Sequence, residues 1–335
     1  MKRMCFNIWV IALAALLWGC EFRPLEEPGF RTEVNVIVNV EAVMNVTCDI
    51  YNEKIPVPEI FPEAMHVVFY DEHEDYAISE SFITGKVQEA DNSCMMHGKI
   101  NIEPGTYKML AYTLGAVDTD VLNYRSWSNI QAKAQAEDEY VQQEYATRLA
   151  EEGRSVGVVS RMPEHIVVAR NEKEVIPYHA GEHVIKAHAT TVVESYYLQV
   201  KVEGLENVKS AKAYLSGMAS GNLLATDTKI ESPAAILRIP LLKSTDQGVP
   251  VICNVFNTFG RNQDAVNELS VTFDLTTIEG KVVTRTFDIT DLFHSEACIK
   301  HHWLLVDEVI KVDADAGGFK PGVGEWEEEN HNAYF

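Results

Sequence analysis

Alternation of apolar and polar residues constrains the fold of this chain more than any other feature. Residues 33–40 read Glu-Val-Asn-Val-Ile-Val-Asn-Val, so that every second residue is a valine. Residues 196–202 alternate in a similar way. A period of two residues places one set of side chains on each face of a strand and is typical of a half-buried β-strand. The sequence therefore predicts a protein built mainly from β-strands.

Short strand-like segments, among them residues 77–84, follow one another along most of the chain and are separated by turn residues. Pro104-Gly105 and Glu279-Gly280 are two of these turns. Strands do not alternate regularly with helices, which argues against a doubly wound α/β fold. Closely spaced strands of this kind are typical of antiparallel sandwiches. We predict a mainly β fold with two tandem antiparallel β-sandwich domains, transthyretin-like with Greek-key connections, and one long helix inserted in the first domain.

Composition changes along the chain predict the domain boundaries. The first domain is expected over residues 32–190 and the second over residues 191–312, followed by a flexible acidic tail at 313–335. A helix is predicted over residues 129–152, because Ser128 and Gln131 fit a capping box and Gly153 fits a stop. Its apolar positions predict packing against the edge of a sheet: Ala132, Ala136, Tyr140, Val141, Tyr145 and Leu149.

The N-terminus has the features of an export signal. Two basic residues precede an apolar run at 8–17, which is too short to span a bilayer as a helix. Residues 17–20, Leu-Trp-Gly-Cys, resemble the lipobox of bacterial lipoproteins, in which the cysteine is lipidated. We expect a signal peptide at 1–19, a lipid on Cys20 and an irregular linker at 20–31. The alternative is an ordinary signal peptide with an incidental cysteine.

Net charge and cysteine content limit the classes of binding partner and the cellular compartment that fit this chain. The net charge of −22 disfavours nucleic acid and anionic lipid as partners, since both are polyanions. Two cysteines fall in each half, Cys48 with Cys94 and Cys253 with Cys298. An exported protein could form one disulfide in each half. The spacing fits no disulfide framework, however, and favours buried free thiols instead.

No motif in the sequence predicts catalysis. The nucleophile elbow, the zinc-binding His-Glu-x-x-His motif, the phosphate-binding loop and the dinucleotide fingerprint are all missing. His179, His183 and His188 lack an acidic or cysteine partner that would complete a metal site. The carboxylates at 71–75 could bind calcium weakly or could simply be solvated. The sequence therefore predicts a protein that is not an enzyme and needs no cofactor or metal.

Three segments together resemble the fimbrillin-like lipoproteins of type V pili. The first is the lipobox followed closely by a strand, and the second is Ile-Glu-Pro-Gly-Thr-Tyr-Lys-Met-Leu-Ala-Tyr at 102–112. The third is Tyr-Leu-Gln-Val-Lys-Val-Glu-Gly-Leu at 197–205, with Ala-Tyr-Leu-Ser-Gly-Met-Ala-Ser-Gly at 213–221. The resemblance implies two β-sandwich domains that assemble with other pilus subunits when one chain completes the open sheet of another.

The resemblance also implies a place within the pilus. Stalk precursors of this family carry a removable strand before a cleaved arginine. Arg31 precedes the first strand here, but residues 21–30 are too irregular to form such a strand. This departure favours an anchor or accessory subunit at the cell surface, held in the outer membrane by its lipid. The alternative function is a surface lipoprotein that binds glycans for nutrient capture.

Overall fold

A computed structural model describes residues 31–41, 62–90, 93–115, 117–151, 157–178, 182–262 and 269–313. The predictions for the signal peptide at 1–19, for Cys20 and for Cys48 lie outside the described residues. So do the linker at 20–31 and the tail at 313–335, apart from Arg31 and Asp313. None of the described helices is long and apolar enough to cross a membrane.

Strands dominate the described part of the chain. Those before residue 192 are β1 Thr32–Glu41, β2 Met65–Asp71, β3 Ala77–Ile83, β4 Gly85–Ala90, β5 Ser93–Ile102, β6 Gly105–Tyr112, β7 Thr119–Leu122, β8 Gln131–Ala134, β9 Val158–Ser160, β10 Val167–Ile176 and β11 Glu182–Thr191. Those after it are β12 Glu194–Glu203, β13 Val208–Met218, β14 Gly221–Leu223, β15 Thr228–Ile230, β16 Ala235–Asp246, β17 Val249–Thr258, β18 Ser270–Thr277, β19 Val282–Asp288 and β20 Trp303–Lys311. The α-helices are α1 Glu139–Glu151 and α2 Glu296–His301, and short 3-10 turns lie at Leu205–Asn207 and Leu292–His294.

The first sheet curls around its own core. Its strand order is β3-β2-β6-β10-β11-β1-β5-β4, and β1 runs parallel to β11 while the other pairs are antiparallel. The four alternating valines of β1 are all fully buried on the inner face, as predicted. The curl brings β5 against β3, where a Cβ on Gly98 would lie 2.5 Å from Ile83 Cγ2. Glycine at residue 98 therefore permits this close approach.

The second sheet folds into a sandwich because β16 takes part in both layers. The first part of β16, up to Leu241, pairs with β13, and the part from Leu242 onward pairs with β17. The layers are then β19-β18-β13-β16, which β9 extends, and β16-β17-β12-β20. Leu198, Leu237 and Phe273 are among the buried side chains between them. The prediction of a mainly β fold with sandwich domains is confirmed.

A third sheet joins the two parts of the chain. Its order is β15-β14-β8-β7, and β8 pairs with β14, which lies about ninety residues later in the sequence. A junction cluster is buried between this sheet and the outer face of the first sheet. It consists of Val68, Tyr70, Leu110, Tyr112, Ile130, Ala132, Ile166, Val168, Val192, Val193, Ala219, Leu224, Ala225 and Phe259. Residues on both sides of the predicted boundary at 190–191 thus share one core.

The helix is shorter than the sequence predicts. It begins at Glu139 and not at residue 129, because Asp138 provides the start: its Oδ1 accepts a hydrogen bond from the backbone N–H of Val141 at 3.0 Å. The predicted cap, Ser128, is used elsewhere, since its hydroxyl donates to Asp75 at 2.7 Å. Residues 131–134 form strand β8 instead.

The helix packs at a sheet edge, as predicted, and also on the face beside that edge. It contacts β9, the strand at the end of one layer of the second sandwich. It also covers the outer face of this layer, where the ring centres of Tyr145 and Tyr214 lie 4.4 Å apart. Arg148 extends from the same helix to Asp274 of β18, with both carboxylate oxygens within 3.0 Å of its Nη1. Tyr140, which was expected to pack, is exposed. The helix therefore helps to fasten the first part of the chain to the second.

Candidate functional site

Strand β3 is an edge strand of the first sheet. It pairs with β2 on one side, from Met65 opposite Ile83 to Tyr70 opposite Ala77. Within the described ranges, its outer side has one backbone hydrogen bond, from the N–H of Ala77 to the carbonyl of Arg125 at 2.9 Å. An edge of this kind presents backbone donors and acceptors to a strand from another chain.

The side chains of β3 make this edge unusually apolar for a surface strand. Ile78 is 44% exposed and Phe82 is 55% exposed, and Tyr76 just before the strand is 48% exposed. Charged residues and proline usually protect exposed strand edges, whereas adjacent apolar side chains favour association. In β3, Glu80 is the one charged residue among the seven. The edge therefore has the chemistry of a contact surface.

A buried hydrogen-bonded network supports β3 from the neighbouring strands. His66 of β2 lies opposite Phe82, and their rings stack with centres 4.5 Å apart. His66 Nδ1 lies 2.8 Å from the hydroxyl of Tyr112, and its Nε2 lies 3.1 Å from Glu80 Oε2. The network therefore fixes Phe82 and Glu80 of the edge strand to the sheet.

The protonation states of this network follow from its burial. Burial lowers the pKa of His66, although the nearby Glu80 carboxylate opposes this effect. Burial also raises the pKa of the Tyr112 hydroxyl above its usual range. Both side chains are almost completely covered. A neutral imidazole and a neutral phenol in this position hold the strand in place, and a substrate could not reach them because they are buried.

The structure distinguishes the two alternatives for the cysteines in the second half of the chain. Cys253 and Cys298 are buried free thiols and not a disulfide. Cys253 lies in an apolar cluster with Tyr197 and Trp303, whereas Cys298 lies in the core between the two layers. The two thiols therefore occupy different clusters. Burial raises the pKa of both, to about 11 for Cys298, which makes them poor nucleophiles. Cys94 is buried in the first core, and its predicted partner Cys48 lies outside the described residues.

The carboxylates at 71–75 serve the turn between β2 and β3. Asp71 Oδ1 accepts hydrogen bonds from the backbone N–H groups of His73 and Glu74, both at 2.8 Å. Asp75 accepts from Ser126 and Ser128, at 2.6 and 2.7 Å. These bonds give Asp71 and Asp75 a structural role in the turn. In the described ranges, no group of three His, Cys, Asp or Glu side chains could hold a metal ion.

The three histidines from which the sequence predicts no metal site are only partly described. His183 Nε2 lies 3.3 Å from Glu174 Oε1, and His179 lies outside the described residues. His183 and His188 both belong to β11. The residues that form the candidate site, Ile78 and Phe82, were placed on a strand by the sequence but were not singled out. The alternation of Ile78, Glu80 and Phe82 on one face was the available signal.

The fold is similar to that of a solved structure from a Bacteroides species, and weaker likenesses extend to Porphyromonas. A presumed adhesin from Bacteroides ovatus matches with a TM-score of 0.56 at 13% identity, over 88% of this chain and 97% of that one. A presumed polysaccharide-binding protein (DUF1812) from Bacteroides thetaiotaomicron has a TM-score of 0.48 at 8% identity, over 84% and 92%. The fimbrial anchor protein Mfa2 from Porphyromonas gingivalis has a TM-score of 0.46 at 10% identity, over 83% and 90%. The first of these likenesses shows a shared fold.

Sequence comparison assigns the chain to a family. No curated protein matches it. The model of a family described as a domain of unknown function, DUF5119, matches residues 35–238, which is more than half of the chain. This match runs from β1, through the third sheet that joins the two parts of the chain, into β16. The chain therefore belongs to the DUF5119 family.

Proposed function

We propose that this chain is a lipid-anchored adhesion protein of the bacterial cell surface and serves as a pilus anchor or accessory subunit. Cys20 carries the lipid that holds it in the outer membrane. The sandwich domains assemble with other pilus subunits through β-strand pairing, and no catalysis is involved. The fold shared with the Bacteroides ovatus adhesin supports this role, as does the fimbrillin-like pattern of the sequence.

The exposed edge of β3 is the observation that carries the proposal. Ile78 and Phe82 place apolar side chains beside a mostly unpaired run of backbone. A partner strand would satisfy the backbone groups and cover the apolar side chains at the same time. The supporting His66 network keeps this edge in a fixed shape, which lowers the entropy cost of association.

The substitution Ile78→Lys tests the proposal. We expect it to reduce the amount of co-purifying surface protein by at least roughly tenfold, because a charge at the edge must lose water when the partner strand pairs. The tagged full-length protein would be isolated from the outer membrane of its native host, and co-purifying proteins would be quantified by mass spectrometry.

Val184→Lys is the matched control. Val184 is also 44% exposed, but it lies on β11, an inner strand of the sheet that pairs with β1 at this position. This variant should retain the wild-type partners. Equal retention by the Ile78→Lys and Val184→Lys variants would contradict the proposed role of β3.

A further inference from the structure

A charged cleft of about 700 Å³ lies between residues 118–162 and the second sandwich. One wall comes from the residues around β7, α1 and β9 and includes Asp118, Glu137 and Arg161. The other wall comes from β13, β16 and β18 of the second sandwich and includes Lys212, Arg238 and Asp274, the last of which is already paired with Arg148. A volume of this size is typical of small-molecule sites.

Ion pairs across the cleft fix its walls. Arg238 Nη1 lies 3.0 Å from Glu137 Oε1, although the two residues are 101 positions apart in the sequence. Arg161 pairs with Asp118 at 3.2 Å and approaches the second oxygen of Glu137 at 3.9 Å. The Glu137 side chain is mostly buried by these contacts. The polar groups of the cleft are therefore organised before any ligand arrives.

Two residues that line the cleft carry donor groups with no ion-pair or hydrogen-bond partner among the described residues. The Lys212 ammonium forms no ion pair with the described residues and lies 5.2 Å from the centre of the Tyr214 ring. The Nε of Arg238 is buried and has no hydrogen-bond partner in the described part of the chain. Buried donors without partners are rare, because each costs free energy. An anionic oxygen from a ligand could pair with the Lys212 ammonium and with the accessible part of the Arg238 guanidinium, whose side chain is 39% exposed.

Two carboxylates on the opposite wall of the cleft also have an oxygen that can accept a further hydrogen bond. Asp118 uses Oδ1 for Arg161, and Asp138 uses Oδ1 for the start of α1. The second oxygen of each carboxylate accepts no hydrogen bond from the described residues. Carboxylate oxygens bind hydroxyl donors well but repel a ligand with several negative charges. The suitable ligand therefore combines several hydroxyl groups with a single acid group.

We propose that this cleft binds an acidic sugar. The sugar carboxylate pairs with Lys212 and Arg238, and its hydroxyl groups donate to Asp118 and Asp138. A neutral sugar would leave the Lys212 ammonium unpaired, and a phosphorylated ligand would bring too much negative charge against the two aspartates. The site is separate from the β3 edge and serves recognition of acidic glycans by the same surface protein.

Calorimetric titration of the full-length protein in detergent tests the proposal. The probes are a disaccharide that ends in glucuronic acid, a trisaccharide that ends in N-acetylneuraminic acid, and the methyl ester of each. We expect at least one acid to bind and its ester to bind at least tenfold more weakly. The proposal is overturned if neither acid binds or if the ester binds as well as the acid.

Variants of two lysines on β13 supply the control. Lys212→Met should weaken binding of the acid at least tenfold, whereas Lys212→Arg should retain it. Lys209→Met alters an exposed lysine of the same strand that does not line the cleft and should bind as the wild type does. Unchanged binding by Lys212→Met, with a folded protein by circular dichroism, would overturn the assignment.

Discussion

Replacing Arg148 by methionine is expected to lower the free energy of unfolding by about 3 kcal/mol. The Asp274 side chain is 3% exposed, and Arg148 supplies its counter-charge across the contact between α1 and β18. Without the guanidinium, the buried carboxylate keeps one hydrogen-bond donor among the described residues, the hydroxyl of Thr284 at 2.8 Å. Equilibrium unfolding in urea at neutral pH measures the change.

Two further variants separate this effect from a general loss of packing. Arg148→Met combined with Asp274→Asn should recover much of the loss, because the buried charge is then removed as well. Lys311→Met breaks an ion pair with Glu203 in which both side chains are well exposed, and it should cost less than about 1 kcal/mol. A loss for Arg148→Met no larger than that for Lys311→Met would show that α1 is not held by this pair.

Replacing Cys20 by alanine is expected to abolish lipid attachment completely. The side chain that would carry the lipid is then absent, so no acyl group can be attached at this position. Cells fed an alkyne analogue of palmitate would incorporate the label into the wild-type protein and not into the variant.

Cys5→Ala is the control for this labelling, because Cys5 lies in the predicted signal peptide and would be removed from the mature protein. It should leave incorporation unchanged. Label retained by the Cys20→Ala variant would contradict the proposed anchor, and so would an unlabelled wild-type protein.

Local patterns predicted the strands well, because burial on one face leaves a period of two in the sequence. The four valines of β1 are the clearest case. The helix was overextended because Ser128 fits a cap in the sequence, while in the structure it bonds to Asp75, fifty-three residues away. The sequence around Ser128 carries no information about a contact with so distant a residue.

Local sequence pattern also does not locate the β3 edge or the charged cleft, because both depend on contacts between distant parts of the chain. The sequence placed residues 77–84 on a strand, but the position of β3 at the end of the sheet depends on the order of eight strands. The charged cleft depends on pairs such as Glu137 with Arg238, which come from separate parts of the chain. The free thiols of Cys253 and Cys298 likewise depend on the different clusters in which they are buried.

Photocrosslinking in living cells tests the proposed contact surface most directly. The full-length protein would carry a benzophenone amino acid at residue 78, on the β3 edge, or at residue 184, on the paired strand β11. The account predicts a crosslinked product with a second surface protein from residue 78 and none from residue 184. No product from residue 78, or equal products from both positions, would contradict it.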